Sequence, residues 1–409
     1  MNAQACPVRI DGEPDPNVSR WLWLVKWVLA IPHNIVRRIA VGAALAAALI
    51  GAVATAAPTA TPATAAEVTP LQQAADNLVA AGVPGVVLLV REGDRPIRIS
   101  SGYGNLAKGT PIRVTDRFRV ASLTKTFVAT VVLQLVGEGT LALDDTVERW
   151  LPGLFPDGDA INVHQLLNHT SGIYDAQNDP AILAPYLAGE LTHFTPPRTL
   201  VEVAAAHELL FPPGSNWSYS NANYFVLGLI VEAATGHTIG FELRHRIFHR
   251  LELRDTTFPR SPHIPKPHAH GYFLFGQPPL QDFTVFSPSL FWAGGAIVST
   301  ADDIARFYRA LMSGRLLGRV LLEKMMTIDP VALDPSGSGS GFGLGLQREG
   351  RFPCGEAWGH DGELPGFEAF AWNTRDGTRQ VVVLINTSGL SENAGQALTN
   401  LLVTAYCSR

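Results

Sequence analysis

Residues 120–127 read VASLTKTF, and this stretch decides how the rest of the chain is read. Ser122 and Lys125 stand three apart at the point where a run of apolar and Thr residues opens a predicted helix from Arg119 to Gly137. That spacing projects both side chains from one helical face, with their Cβ atoms roughly 5–6 Å apart. A helix N-terminus adds free N–H groups and partial positive charge, which stabilise an oxyanion and lower the pKa of a nearby amine. A lone S-x-x-K is weak evidence, since an N-cap serine followed by a solvated lysine looks the same. Only five of the 31 basic residues are lysines, however, so each has a small chance of falling inside a motif.

Two further motifs lie downstream. Tyr219–Ser220–Asn221 follows Ser122 by 97 residues, at a predicted loop-to-helix junction in GSNWSYSNANY, and His360–Asp361–Gly362 follows 141 residues later. The last motif is placed at the end of a predicted strand, before Leu364–Pro365–Gly366. No G-x-S-x-G or H-E-x-x-H occurs, which removes the nucleophile elbow and the helical zinc-protease site.

Around these motifs the pattern predicts an α+β fold. Residues 84–104 alternate apolar and polar on both sides of a Gly93–Asp94 turn, as a β-hairpin does. Residues 140–330 are mainly helical, as in 221–235 and 301–313, with Pro/Gly-rich loops between. Strand patterns return at 341–348, 356–360, 367–373 and 380–386, and a helix over about 391–405 ends the chain. Strands at both ends around a helical insertion predict one antiparallel sheet closed by the two chain halves, without βαβ spacing.

The chain has 409 residues, 46% of them hydrophobic and 16% charged, with net charge -5. A general nucleic-acid footprint is excluded by that balance. Arg37 and Arg38 precede nineteen uncharged residues, 39–57, and a Pro/Thr/Ala stretch follows. Those are the parts of an export signal or of an uncleaved anchor. Residues 1–66 are therefore expected to be a targeting segment with linker, and 67–409 one domain outside the cytoplasmic membrane. Within it the sheet is expected from about 80–118 and 340–409, and the helical lobe from about 140–330.

With its three motifs in this order, the chain resembles the serine β-lactamase and penicillin-binding protein family, near soluble D-alanyl-D-alanine carboxypeptidases and class C β-lactamases. LLNHTSGIYD (166–175), FGLGL (342–346) and ALMSGRL (310–316) extend the resemblance over residues 70–409. It implies a three-layer α/β/α fold, no cofactor or metal, and an acyl-enzyme on Ser122. Lys125 and Tyr219 are then a coupled base pair whose proton the sequence does not assign. His360 and Gly362 line the opposite wall, and Asn221 binds the substrate amide or orients Lys125. The oxyanion hole is expected from the N–H groups of Ser122 and Glu363.

Two departures bear on the substrate. Related carboxypeptidases carry an Arg directly after GLGL to bind a terminal carboxylate; here Gln347 stands there and Arg348 follows. A one-residue shift turns a strand side chain to the other face. The H-T-G pattern has also become His–Asp–Gly–Glu, which puts Asp361 and Glu363 near the wall, unless they point outward. The resemblance also implies a disulfide between Cys354 and Cys407. His263, His268 and His270 crowd one Pro-rich loop but lack neighbouring acidic ligands in sequence, so a metal is not expected there. The leading expectation is an exported monomeric D-Ala-D-Ala carboxypeptidase acting on peptidoglycan peptides, with β-lactams as further ligands. An esterase or amidase, a β-lactamase and a non-catalytic penicillin-binding module are the alternatives.

Overall fold

The computed structural model describes residues 65–93, 95–274 and 279–407. The segment expected to serve in targeting, residues 1–66 with the apolar run 39–57, lies outside the described residues except for Ala65 and Ala66, which begin helix α1 (Ala65–Ala80). Strands β1 (Gly85–Glu92) and β2 (Arg95–Asn105) form the first hairpin. A short strand β3 (Thr110–Pro111) extends it at one edge. From the C-terminal part come β4 (Gly341–Phe342), β5 (Gln347–Glu349), β6 (Ala357–Leu364), β7 (Phe367–Asn373) and β8 (Arg379–Ile385). All pair antiparallel in the order β3-β2-β1-β8-β7-β6-β5-β4, so the β1–β8 ladder joins the two chain halves.

That junction explains a departure from the expected alternation. Gly85–Val90 is buried without interruption, because β1 has helices over both faces. Val87 and Leu89, beside Leu384 and Val382, join the core under the helical lobe. Val86, Leu88 and Val90, beside Ile385, Val383 and Val381, join a second core under α1 and the last helix, α5 (Glu392–Cys407). Each such side chain contributes roughly 1.5–3 kcal/mol of burial. A strand covered on both sides reads as continuous apolar sequence.

The helical lobe covers the other face, giving three layers. At its centre α2 (Leu123–Gly137) is apolar nearly all round and buried; it is a core helix, without the stripe of a surface one. It begins later than expected, because Phe118–Arg119 pairs as a short strand with Val298–Ser299. Helix α3 (Asn221–Thr235) and helix α4 (Ala301–Met312) pack beside it, with Phe127 of α2 stacked on Phe307 of α4 at 3.6 Å.

Two strand expectations are also corrected. The stretch 341–348 is a tight hairpin, β4 turning into β5, with Phe342 opposite Gln347. Gly345 sits in the turn at φ +74°, and a Cβ there would lie 2.3 Å from the Ala129 Cβ, so the turn is pressed against α2. Strand β6 runs on to Leu364, which places His360–Asp361–Gly362 inside the strand instead of at its end.

Candidate functional site

The tight turn into α2 presents Ser122. Ala121 before it adopts φ +49°, a left-handed conformation that a non-glycine residue holds only when its surroundings impose it. The Ser122 Oγ accepts from the Tyr219 hydroxyl at 2.9 Å and from Lys125 Nζ at 3.1 Å. Tyr219 reaches it from the loop entering α3, so the two motifs meet at one oxygen although far apart in sequence.

Lys125 is fully buried, and its Nζ also donates to Asn221 Oδ1 at 2.7 Å and to the Gly294 carbonyl at 2.8 Å. Three acceptors match the three donors of an ammonium. Burial nevertheless pushes its pKa down to about 7, against the pull of Asp175 and Asp361. Burial drives the half-buried Tyr219 phenol the other way, well above its usual value, and the Ser122 contact offsets this only in part. At rest the phenol therefore keeps its proton and donates it to Ser122, while Lys125 is the group that changes charge near neutrality.

Sequence reasoning missed several supports of this pair. Asp175 accepts from the Asn221 backbone N–H at 3.1 Å and from Asn221 Nδ2 at 3.0 Å, which leaves the Asn221 Oδ1 turned toward Lys125. Asp175 ends the quoted LLNHTSGIYD, but nothing local in sequence couples it to a residue on another helix. His169, in the same segment, stacks on Tyr219 with ring centroids 4.3 Å apart. Its Nδ1 accepts from Ser220 N at 3.3 Å and from Asn223 Nδ2 at 3.1 Å. Burial and nearby Lys125 hold its pKa well below the usual value, so the ring is a neutral platform under the phenol.

Strand β6 forms the opposite wall. A Cβ on Gly362 would lie 2.7 Å from Ser122 N and 2.8 Å from the Val120 carbonyl, so only glycine permits this approach. The Ser122 N–H makes no hydrogen bond among the described residues, and its nitrogen lies close against Gly362. Alternation along β6 puts Trp358, His360, Gly362 and Leu364 on the face toward α2. His360 is buried near Tyr219, and burial with the neighbouring Lys125 holds its pKa down to about 3, so it is neutral.

Asp361 and Glu363 point to the opposite face. Of the two alternatives expected for them, the first holds: both line the cleft beside Ser122, and neither is an ordinary surface carboxylate. Asp361 is buried, and its pKa is pushed up to about 7 by burial and by Glu349 and Glu363, with Arg351 opposing. Gln347 is buried and lines the cleft. Arg348 does not join it: its Nε donates to the Gly339 carbonyl at 2.6 Å and its guanidinium lies 5.8 Å from the Trp358 ring centre. Arg351, which sequence reasoning passed over, does line the cleft, with Nε 3.1 Å from Glu349 Oε1. The cleft holds about 240 Å³ beside Ser122, with Trp217, Leu333 and Phe342 as apolar walls.

Cys354 and Cys407 are joined as a disulfide, tying the segment before β6 to the end of α5. His270, from the histidine-rich loop, bonds Asn105 Nδ2 at 2.8 Å and Asp282 Oδ2 at 2.9 Å.

This constellation can activate a serine for attack on a carbonyl carbon, and known proteins carry the same frame. The chain is similar to a D-stereospecific amidohydrolase from Streptomyces sp., with 38% identity, 83% of this chain and 98% of that one covered, and a TM-score of 0.75. It is 31% identical to Esterase EstB of Burkholderia gladioli over 64% of this chain and 74% of that protein. It is 26% identical to penicillin-binding protein 4* of Bacillus subtilis (strain 168) over 74% of this chain and 68% of that protein. Residues 71–406 match the Beta-lactamase family, so the chain belongs to that family and is a serine hydrolase of its fold.

Proposed function

We propose that the chain hydrolyses amides or esters of D-configured aminoacyl groups through an acyl-enzyme on Ser122. The observation that carries this reading is the convergence of Lys125 Nζ and Tyr219 Oη on one serine oxygen, at 3.1 and 2.9 Å. Neutral Lys125 takes the Ser122 proton as Oγ attacks the carbonyl carbon. The oxyanion is held by the N–H groups of Ser122 and Glu363. The leaving amine or alcohol departs with a proton delivered through Tyr219, which regains one from the Lys125 ammonium. Water then attacks the ester and releases the acid, restoring the serine.

The substrate class is supported by the similarity to a D-stereospecific amidohydrolase and by the side chains near the cleft. A carboxypeptidase needs a cation for the terminal carboxylate. Here Gln347 stands in that place, Arg348 is turned onto Trp358, and Arg351 is engaged by Glu349. The test is kcat/KM for D- and L-phenylalanine amide against release of D-Ala from a D-Ala-D-Ala peptide. We expect the D-amide to exceed the L-amide by at least about 100-fold, a discrimination of nearly 3 kcal/mol, and D-Ala release to be slower. Equal rates for the two amides would overturn the reading.

A D-Ala-D-Ala carboxypeptidase acting on cell-wall peptides is the second reading, supported by the similarity to a penicillin-binding protein and by the strand edge at Gly362. Preferred release of D-Ala, with a lasting penicillin adduct on Ser122, would favour it. A transient adduct with drug hydrolysis would favour a β-lactamase, and an adduct without any turnover a non-catalytic module. The Cys354–Cys407 disulfide supports a place outside the cytoplasm. Recovery of the native protein in the cytosolic fraction would remove that part.

A further inference from the structure

Acyl transfer gives the two ends of the cleft different tasks. Gly362 lies against Ser122 N, so the oxyanion sits at that part of β6. Tyr219, which delivers the proton to the departing amine or alcohol, lies toward His360, with ring centroids 6.5 Å apart. The leaving group therefore departs toward the start of β6. There Gln347 of β5 pairs with Gly359, the last rung of the ladder before His360, and lines the cleft together with Ser122.

Gln347 is 5% exposed, and its Oε1 is buried without a hydrogen-bond partner among the described residues. Its Nε2 makes no hydrogen bond among them either. A buried amide left unbonded is costly, and one that lines a cleft is satisfied by what enters it. Trp217 adds a second, independent observation. It lines the same cleft and stacks on Phe342 with ring centroids 5.1 Å apart, and its Nε1 is buried without a partner. Phe342 stands opposite Gln347 in the β4–β5 hairpin, so the indole and the amide flank one ring. The fold thus leaves one acceptor and two donors unbonded along this end of the cleft. A carboxylate has no N–H for Oε1, and Arg351, which also lines the cleft, is held by Glu349 at 3.1 Å and Asp334 at 3.8 Å. An ammonium has no acceptor for Nε2 or the indole. A primary carboxamide supplies both kinds of group.

We propose that Gln347 is a specificity-determining residue that reads an uncharged primary carboxamide on the leaving group. The carboxamide N–H donates to Gln347 Oε1, and its carbonyl accepts from Gln347 Nε2 or Trp217 Nε1. The preferred substrates are then D-aminoacyl amino acid amides, in which the residue after the scissile bond ends in a carboxamide instead of a carboxylate. The C–N bond to that residue breaks, water supplies the hydroxyl and the proton, and the products are the D-amino acid and an amino acid amide. This rests on the acyl-enzyme reading only for the direction in which the leaving group departs. An amide side chain offers one acceptor and one donor end in either orientation, so the match survives a flip of Gln347.

The test is kcat/KM of the full chain for three substrates with one acyl group: D-phenylalanyl-glycinamide, its N,N-dimethylamide and the free acid D-phenylalanyl-glycine. We expect the primary amide to exceed the dimethylamide by at least about tenfold and the acid by about 100-fold. Gln347→Leu should bring the two amides within about twofold of each other. Gln347→Arg should move the preference to the acid, and it serves alone if the leucine variant does not fold. Equal rates for the two amides in the wild type, or a preference unchanged in the variants, would overturn the proposal. Cleavage of D-phenylalanine amide without that preference removes the role of Gln347 and leaves the hydrolase reading intact. If no D-aminoacyl substrate is cleaved, the hydrolase reading falls, and calorimetric titration with N-acetylglycinamide and its N,N-dimethyl analogue decides the proposal by itself. Tighter binding of the primary amide, lost in Gln347→Leu, keeps it; equal binding or none removes it.

Discussion

Lys125 Nζ lies 2.7 Å from Oδ1 of Asn221, a residue 96 positions later, whose Nδ2 is held 3.0 Å away by Asp175. The amide thus stands between an amine and a carboxylate and cannot rotate without losing both bonds. This keeps a buried lysine aimed at a serine in a place that disfavours its charge.

The pH dependence follows from that arrangement. A base acts when deprotonated, so kcat/KM for a D-aminoacyl amide should rise with pH through about 7 and then level off. Lys125→Arg, which stays protonated, should remove the limb and most of the activity, as a pH–rate profile would show.

Asp175→Asn tests the positioning chain. The carboxylate favours the Lys125 proton, so its removal should shift the acid limb to lower pH. With Asn221 less firmly held, kcat should also fall, by roughly 10–100-fold. A fall in kcat with an unmoved limb would mean that Asp175 does not act electrostatically.

Loss of Ser122 or of its phenol partner should differ in degree. Ser122→Ala should lower kcat by roughly 10⁴–10⁶ and abolish any covalent adduct in intact mass. Tyr219→Phe should still form the adduct, but about 10²–10⁴ more slowly.

Gly362→Ala places a methyl group 2.7 Å from Ser122 N. The strand must retreat from the helix, at a cost of about 1–3 kcal/mol in stability. Activity should fall about 10²–10³, as when an oxyanion donor is withdrawn. Thermal unfolding and single-turnover acylation would separate the two effects.

Lys125 also links stability to pH. Its folded-state pKa is depressed from 10.5 to about 7, so the unfolded chain binds the extra proton between those values. Stability is lost as pH falls from 10.5 to about 7, and is restored as pH rises. The wild type should therefore gain stability relative to Lys125→Met between pH 7 and 10, by roughly a few kcal/mol. Denaturant midpoints at the two pH values would measure it.

Periodicity in the sequence determined the antiparallel α+β class and most helices, and the family resemblance marked Ser122, Lys125, Tyr219 and Asn221, which the structure brings together. These were legible because helical spacing puts Ser122 and Lys125 on one face, and because the motif order resembles a known family. The alternation expected of β1 failed where a second helical layer buries the back of the sheet, since a local pattern does not report what packs on each face. The 341–349 hairpin was hidden because its turn is fixed by distant contacts: Gly345 is pressed against α2, and Gly343 against the backbone at Met325 and Thr327.

The tertiary structure alone decided which side of β6 each carboxylate takes and which arginine reaches the cleft. It alone joined Asp175 and Gly294 to Lys125. Each depends on contacts between residues dozens to more than a hundred positions apart, brought together when the two chain halves close one sheet. Burial set the protonation states as well: a lysine, a histidine and an aspartate that sequence gives ordinary values are shifted by desolvation, which exists only once the chain has folded.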